Sequence, residues 1–520
     1  MTGTVLEASR LDRRKALVVV CGILALTFLD TTIVSVSLGS IQDSLHFGVT
    51  GLQWVVDAYA VAFASLMLTG GTLGDRFGRR RMMLAGIALF SVASLVGALC
   101  ESRDLLIASR AGMGVGAAAS EPGTLSVLRH VFPDKRGRAR ALGVWSAVSC
   151  LGLALGPLVG GLLVGIWSWR AIFWLNVVAG LGLLAAARRF VPESADPETA
   201  RVDIAGQAFA IVAIGSIVVA MIEGENTGYG ASRIVALFVI GALSAVAFVM
   251  RERRAPFPML DLRYFRRLRF NAALAVSFAV YFGTFSVFFF TALYLEEVAK
   301  YSGFRTAALF APMTALMIGG AVWASRLVVG RGGQWTMAIG CLVAALGIAA
   351  SEPLISSHPS FPALTASLGL TGFGMGLAMV PVTVLVLEVV PAEHSGMAAS
   401  ATNTARQLGV VFGVAILGAL VNAKLKTDLR QRLTALHVPS IFQGPIITSY
   451  EHGGTGKGGA LSGFKQLFPT FFHRVLDAAY SAFRSGLSAA LVLSAILIGI
   501  AAVIAGYAAS RGGESEQPAP

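Results

Sequence analysis

Five charged residues stand inside long apolar runs of this chain: Asp30, Asp57, Arg110, Glu121 and Arg406. A charge at the centre of a bilayer costs at least ~2.5–3.5 kcal/mol on insertion scales, so each is a functional candidate by default. A carboxyl group in such a place can take up a proton, pair with a cation or hold a cationic ligand. A guanidinium keeps its charge and has to be paired or hydrogen-bonded. At 1.5 Å per helical residue, Asp30 falls ~12 Å, Asp57 ~9 Å and Arg110 ~8 Å from the outer ends of their runs. The three are therefore expected to cluster, two carboxylates and one guanidinium holding a proton; the alternative is a structural ion pair of Arg110 with one Asp. Glu121 precedes Pro122. It lies three helical turns and ~16 Å from Arg110 on the same face. It is expected to bind protons or a cationic substrate, or else to pair near the inner half. Arg406 fits a gate-side structural role as well as a substrate contact. Glu296, Glu297 and Glu388 fall near the ends of runs, where solvation is cheap. Phe282, Phe285, Phe288, Phe289 and Phe290 make one run aromatic, for lipid-facing or core packing or for a hydrophobic pocket.

Nothing comparable points to bond-making chemistry. There is no HExxH and no convincing Ser/His/Asp set, and Cys21, Cys100, Cys150 and Cys341 have neither metal-ligand nor CxxC spacing. The fragment GTGKGG at 454–459 lacks the Ser or Thr and the preceding buried strand of a phosphate loop. The chain is read as a protein that is not an enzyme and needs no metal, nucleotide or other cofactor.

The elements that carry the charges are legible in the composition. Of 520 residues 55% are apolar and 13% charged, with a mean hydropathy of +0.73; soluble domains carry about a quarter charged residues. About 20 apolar helical residues cross a bilayer core. Such runs fall at roughly 16–38, 51–73, 82–100, 105–128, 141–165, 170–190, 203–222, 232–250, 271–295, 305–329, 335–352, 361–388, 397–422 and 486–508. Fourteen spans put both termini on one side. With that side inside, inner segments hold 26 Lys and Arg, and the short outer loops hold only Arg103, Arg170, Arg233, Lys300 and Arg305. This asymmetry places both termini in the cytoplasm of a cell inner membrane. The net charge of +13 is thus a topology signal, and no nucleic-acid partner is expected. The first run, preceded by Arg13, Arg14 and Lys15 and followed by no A-x-A site, reads as a retained helix.

Residues 191–202 and the Arg-rich 251–269 read as linkers, the second along anionic headgroups. They leave an N-terminal six-helix bundle at 16–190 and a two-helix hairpin at 203–250. A basic cytoplasmic linker at 251–270 and a C-terminal six-helix bundle at 271–508 follow. Residues 424–485 are the one large polar excursion, a long extracytoplasmic loop with helical periodicity at 425–437 and a Gly-rich turn at 451–463.

Between the second and third runs stands Gly71-Thr72-Leu73-Gly74-Asp75-Arg76-Phe77-Gly78-Arg79-Arg80-Arg81. Gly78 permits a tight turn, the arginines suit the headgroup layer, and Asp75 can cap a helix or pair with Arg. The segment resembles the signature loop of the major facilitator superfamily. Leu106, Arg110, Gly114, Gly116, Ala117 and Ala118 match a second pattern of that family, with Met113 in place of its usual Gln. Gly152, Gly156, Pro157, Gly160 and Gly161 resemble the pattern of its drug–proton antiporters; glycines four apart let a neighbouring helix approach closely. Leu29-Asp30, Trp54 with Asp57 and Tyr59, and Asn403 with Arg406, Gln407 and Gly409 resemble its fourteen-helix branch. The second-half repeat of the signature loop, Gly320 to Arg331, has no Asp.

The resemblance implies an all-α integral membrane protein of two six-helix bundles plus two inserted helices, acting as a monomer. It implies export of small hydrophobic or cationic drugs or antibiotics against protons, by alternating access. The expected partners are a small-molecule substrate, protons and membrane lipid. Uptake, or lipid or metabolite transport, on the same fold is the nearest alternative. A membrane sensor on a transporter scaffold is the alternative from another class, and no added signalling domain supports it.

Overall fold

The computed structural model describes residues 10–45, 49–194, 203–255, 260–299, 301, 303–356, 359–391, 395–451 and 469–511. Among these every regular element is a helix. They run α1 Arg10–Ile33, α2 Leu38–Leu45, α3 Val49–Phe77, α4 Arg79–Leu99, α5 Arg103–Val131, α6 Lys135–Ile166, α7 Arg170–Phe190, α8 Ile204–Thr227 and α9 Ser232–Arg254. There follow α10 Leu268–Val280, α11 Ser286–Glu297, α12 Gly303–Arg331, α13 Gly333–Ser351, α14 Phe361–Val389, α15 Ser395–Ala435, α16 Ser440–Glu451 and α17 Pro469–Arg511. Among the described residues eleven helical spans are long and apolar enough to cross a membrane, or twelve when the two pieces of α3, bent by 51°, count as one. The Gly-rich turn expected at 451–463 lies outside the described residues except for Glu451, which ends α16, and 195–202 of the first linker lie outside them too.

Local chemistry sets the helix ends. Ser102 accepts from the Leu105 amide and caps α5, and Asp134 accepts from Gly137 at 2.6 Å and caps α6. Asp104 in the first turn of α5 and Arg129 and His130 in its last complement the helix dipole. Asp203 caps α8 and takes a second hydrogen bond at 2.8 Å from Arg251 at the far end of α9. Burial alone would push the Asp203 carboxyl up, but the Arg251 contact and the helix amides hold it below the ordinary range.

One set of helices packs α3 and α4 on α5, α1 on α6, and α7 on α1 and α4. A second packs α12 and α13 on α14, α13 and α15 on α17, and α10 on α15 and α17. The sets meet where α6 lies on α12 and α14 and where α15 lies on α3 and α5. The α8–α9 hairpin covers the α3–α15 seam: Val218 and Ile222 of α8 pack with Ala60 and Val61 of α3 and Val411 of α15. Hydrogen bonds fix it at both ends. Trp54 Nε1 donates to Glu223 at 3.3 Å, Gln207 Nε2 donates to the Ser65 carbonyl at 2.7 Å, and the Thr69 hydroxyl meets Gln207 Oε1.

Two features depart from a plain alternation of spans and loops. The span expected at 271–295 is one membrane-crossing stretch, Leu268–Leu295, but within it α10 and α11 are joined by a π turn at Tyr281–Phe285. The described parts of the stretch expected as a polar loop, 424–451 and 469–485, are largely helical and extend the neighbouring helices. At 41 and 43 residues, α15 and α17 are each ~60 Å or more long, twice a bilayer core. Their projecting ends and α16 share a separate apolar core that includes Leu425, Leu429, Leu433, Ile446, Ile447, Val475, Ala479 and Ala482.

The glycine stripe of α6 faces α1. A Cβ at Gly152 would stand 2.8 Å from the Ala25 carbonyl, and one at Gly160 2.8 Å from the Ile33 carbonyl. A Cβ at Gly156 would collide with the Thr32 hydroxyl and the Ile33 amide, whereas one at Gly165 would meet nothing within 4 Å. Gly156→Leu is therefore expected to lower stability by about 1–3 kcal/mol. Gly165→Leu is the matched control, expected to change little. Unfolding midpoints of the purified variants measure both; equal losses would contradict the assigned α1–α6 contact.

Candidate functional site

The signature segment spans the end of α3 and the start of α4. Gly71 lies within α3 and is buried. Gly78 takes φ +109°, a left-handed conformation that favours glycine. Asp75 pairs with Arg79 one turn on, at 2.8 Å, and does not cap α4. Arg79 N donates to the Ser194 carbonyl, Arg80 N to Glu193 Oε1, and Arg80 Nη2 to the Arg188 carbonyl at 2.7 Å. The segment is thus tied to the chain that leaves α7. Arg76 is exposed, its guanidinium 5.1 Å from the Phe77 ring. Gly161 is half-buried in α6; Pro157 belongs to the same helix, and its side chain lies outside the described residues.

Arg110 and Asp30 meet. Arg110 Nη1 donates to Asp30 Oδ2 at 2.6 Å, with both side chains at most 1% exposed. Asn176 Nδ2 of α7 donates to Asp30 Oδ1 at 2.6 Å, and Arg110 Nε donates to the Val55 carbonyl of α3 at 2.9 Å. The Tyr59 ring covers the guanidinium at 4.6 Å, and the Tyr59 hydroxyl donates to the Thr27 carbonyl of α1.

Asp57 does not join them. It is buried, has no ion pair among the described residues, and its Oδ1 has no hydrogen-bond partner. The reason is rotational. Two helical residues turn by ~200°, so with Tyr59 facing Arg110, Asp57 projects from the other side of α3. There it shares a face with Trp54 and Val61, three and four residues away, and both of those pack in the α3–α8–α15 seam.

Glu121 and Arg406 form a second locus. Glu121 is buried with no hydrogen-bond partner for either carboxyl oxygen. It lies within electrostatic range of Arg406, yet no ion pair closes between them. Arg406 Nη1 donates to Asn403 Oδ1 at 3.0 Å and Nη2 to Thr383 Oγ1 at 3.2 Å, and its Nε is unpartnered. The Trp145 and Tyr281 rings each stand 5.8 Å from the guanidinium. Beside it is a small cavity of about 10 Å3 walled by Leu125, Trp145, Thr383, Thr402, Asn403 and Arg406, residues of α5, α6, α14 and α15. The π turn brings Tyr281 here, a use of π geometry that recurs at functional sites.

The remaining expected positions are peripheral. Glu388 is exposed, and the side chains of Glu296, Glu297 and Phe285 lie outside the described residues. Phe282 and Phe290 are core residues, and Phe288 packs on Phe310 at 4.8 Å. Sequence reasoning passed over Asn176, Trp145, Tyr281 and Thr383. Only Asn176 carried a signal, an amide alone in an apolar run. Among the described residues no group of His, Cys, Asp and Glu could hold a metal.

Apolar helices sealed around paired and unpaired buried charges, with a small cavity between two helix sets, define a polytopic membrane transporter. The chain belongs to the major facilitator superfamily, whose family model matches residues 20–414. Among curated relatives, the multidrug resistance protein Stp of Mycobacterium tuberculosis is 34% identical over 79% of this chain and 76% of its own. The methylenomycin A resistance protein of Bacillus subtilis is 32% identical over 81% and 90%. The multidrug efflux pump LfrA of Mycolicibacterium smegmatis is 30% identical over 93% and 94%. Among solved structures, a bacterial homologue of the human lysosomal transporter Spinster, in an inward-facing and occupied conformation, aligns with a TM-score of 0.62. It covers 98% of this chain and 100% of that one at 17% identity, which is a likeness of fold.

The different partners of the two aspartates give different expectations. Asp30→Asn leaves a buried guanidinium without its anion and is expected to cost about 3–5 kcal/mol. Asp57→Asn breaks no ion pair and is expected to cost less than about 1 kcal/mol. Unfolding of the two variants in one detergent compares them; equal losses would contradict the pairing.

Proposed function

We propose that this chain is a proton-driven efflux antiporter that exports small hydrophobic or cationic drugs or antibiotics by alternating access. The observation that carries the reading is the pair of buried carboxyls without an ion-pair partner among the described residues, Asp57 on the face of α3 that carries Trp54 and Val61, and Glu121 within electrostatic range of Arg406. Burying a charged carboxyl is costly and a neutral one cheap. A proton is therefore gained or lost most readily when the seam opens to water. Protonation then biases the balance between inward-open and outward-open states, since a ligand shifts an equilibrium by its differential affinity. Three of the relatives are named for multidrug or antibiotic resistance or efflux, which supports drugs as the cargo.

In this reading Asp30 and Arg110 hold the fold, and Asp75, Gly78, Arg79 and Arg80 gate the inner mouth. The α6 glycine stripe lets α1 and α6 move as one. The organisation is two six-helix bundles with α8 and α9 inserted, fourteen spans in all, with both termini in the cytoplasm of the cell membrane. The unit is a monomer.

The test is transport into inverted membrane vesicles with a panel of cationic dyes and antibiotics. Energised vesicles are expected to accumulate at least one compound, an uncoupler to abolish the accumulation, and Asp57→Asn or Glu121→Gln to remove the pH-driven component while downhill exchange survives. Accumulation that persists in uncoupler, or at wild-type rates in the double variant, would contradict proton drive through these groups.

A further inference from the structure

We propose that the small cavity beside Arg406 is a site for one monatomic anion, chloride among the physiological ions, held by the Arg406 guanidinium and the Asn403 amide. The site is separate from any path of the exported molecule and does not depend on the reading of the chain as a proton-driven exporter.

Arg406 keeps its charge at any physiological pH, and it is 2% exposed. Its Nη1 and Nη2 donate to neutral acceptors, Asn403 Oδ1 at 3.0 Å and Thr383 Oγ1 at 3.2 Å, and its Nε donates to nothing. None of the ion pairs among the described residues includes it. Glu121 acts on it only through space, since both carboxyl oxygens of Glu121 lack a hydrogen-bond donor. The Trp145 and Tyr281 rings, each 5.8 Å away, offer a quadrupole and no net charge. A buried cation without a bonded anion is the costly half of an ion pair. Arg110 shows the contrast in the same chain: its nitrogen meets a carboxylate at 2.6 Å.

The space that Arg406 lines is about 10 Å3, room for one particle of about the size of water. Carboxylates, phosphate, sulfate and organic molecules are too large for it; a water and a small halide are not. Charge decides between these two. Arg406 Nε is an unused donor in the wall. Asn403 is held by its Oδ1, which leaves its NH2 as the donor on the other branch of the amide. The Thr402 hydroxyl gives its proton to the Ala398 carbonyl at 2.8 Å and serves the helix. A water accepts from the free donors but brings no charge. A chloride accepts from both and supplies the missing anion. The rest of the wall includes Leu125, Trp145 and Ala398, apolar surroundings in which the attraction between opposite charges is strengthened.

The test uses the full chain purified in detergent in chloride-free gluconate buffer, with radioactive chloride as the probe at constant ionic strength. Saturable binding of about one chloride per chain is expected, because the space holds one water-sized particle. Bromide is expected to displace it, and sulfate and gluconate are not. Chloride is also expected to raise the unfolding midpoint saturably, by mass action on the folded state. Arg406→Gln is expected to weaken chloride about tenfold or more, the loss of one charge-assisted contact. Ala398→Val keeps Arg406 and fills the cavity, and is expected to abolish binding as well. It serves if the Gln variant fails to fold. The wild-type titration needs no variant. No saturable chloride binding, which would leave water as the occupant, overturns the proposal. So does displacement by sulfate as effective as by bromide, or chloride binding unchanged in either variant, which would place the ion elsewhere on the protein. Binding in detergent involves no gradient, so this result and the transport result stand or fall separately.

Discussion

A guanidinium enclosed by hydrocarbon has to be answered by its neighbours, and Arg110 is answered by two helices directly and by a third through Asp30. Asp30 of α1 supplies the counter-charge, the Val55 carbonyl and Tyr59 ring of α3 take the remaining face, and Asn176 of α7 holds the second oxygen of Asp30. One cation thereby joins α1, α3, α5 and α7, and the order of packing in that half of the molecule follows from it. Apolar side chains alone cannot set such register, because lipid competes for them as well as a neighbouring helix does. The glycines of α6 complete the arrangement by letting α1 lie close enough to present Asp30.

Once Arg110 has taken one carboxylate, the other acidic groups are left for a different use. Asp57 and Glu121 are as buried as Asp30 and have no cation bonded to them among the described residues. Asp57 shares its face of α3 with Trp54 and Val61, which pack against α8 and α15, and Glu121 lies toward Arg406 of α15. Helix α5 is the common spine, carrying Arg110 at one level and Glu121 three turns along. A shift of one helix set against the other leaves the four-helix tie intact and changes the surroundings of both unpaired carboxyls. The hairpin α8–α9 sits across the same seam, hydrogen-bonded to α3 at both ends.

Much of this was legible in the sequence, for identifiable reasons. Residue type alone marks the intramembrane charges, since nothing cheap keeps Asp30, Arg110 or Glu121 in an apolar run. Spacing marks Gly78 as a turn and Gly152, Gly156 and Gly160 as one helix face. The choice of partner was not legible. Asp30 and Asp57 lie at similar depth, and only rotation about the axis of α3, seen through Tyr59, decides which of them reaches Arg110. Nor was the cavity, whose walls come from residues more than 200 positions apart, or the approach of Tyr281 to Arg406, which depends on a π turn that leaves no pattern. The helical end of α15 was visible in Leu425, Leu429 and Leu433. Its pairing with Val475, Ala479 and Ala482 was hidden by the polar stretch between them.

The central claim is a division of labour, with Asp30 paired for structure and Asp57 and Glu121 exchanging protons. Infrared difference spectra of the full protein between low and high pH report carboxyl groups that change protonation, through the C=O stretch of the neutral form. The account predicts a difference band that persists in Asp30→Asn, weakens in Asp57→Asn and in Glu121→Gln, and disappears when both are replaced. A band lost in Asp30→Asn and unchanged in the Asp57→Asn/Glu121→Gln double variant would contradict it.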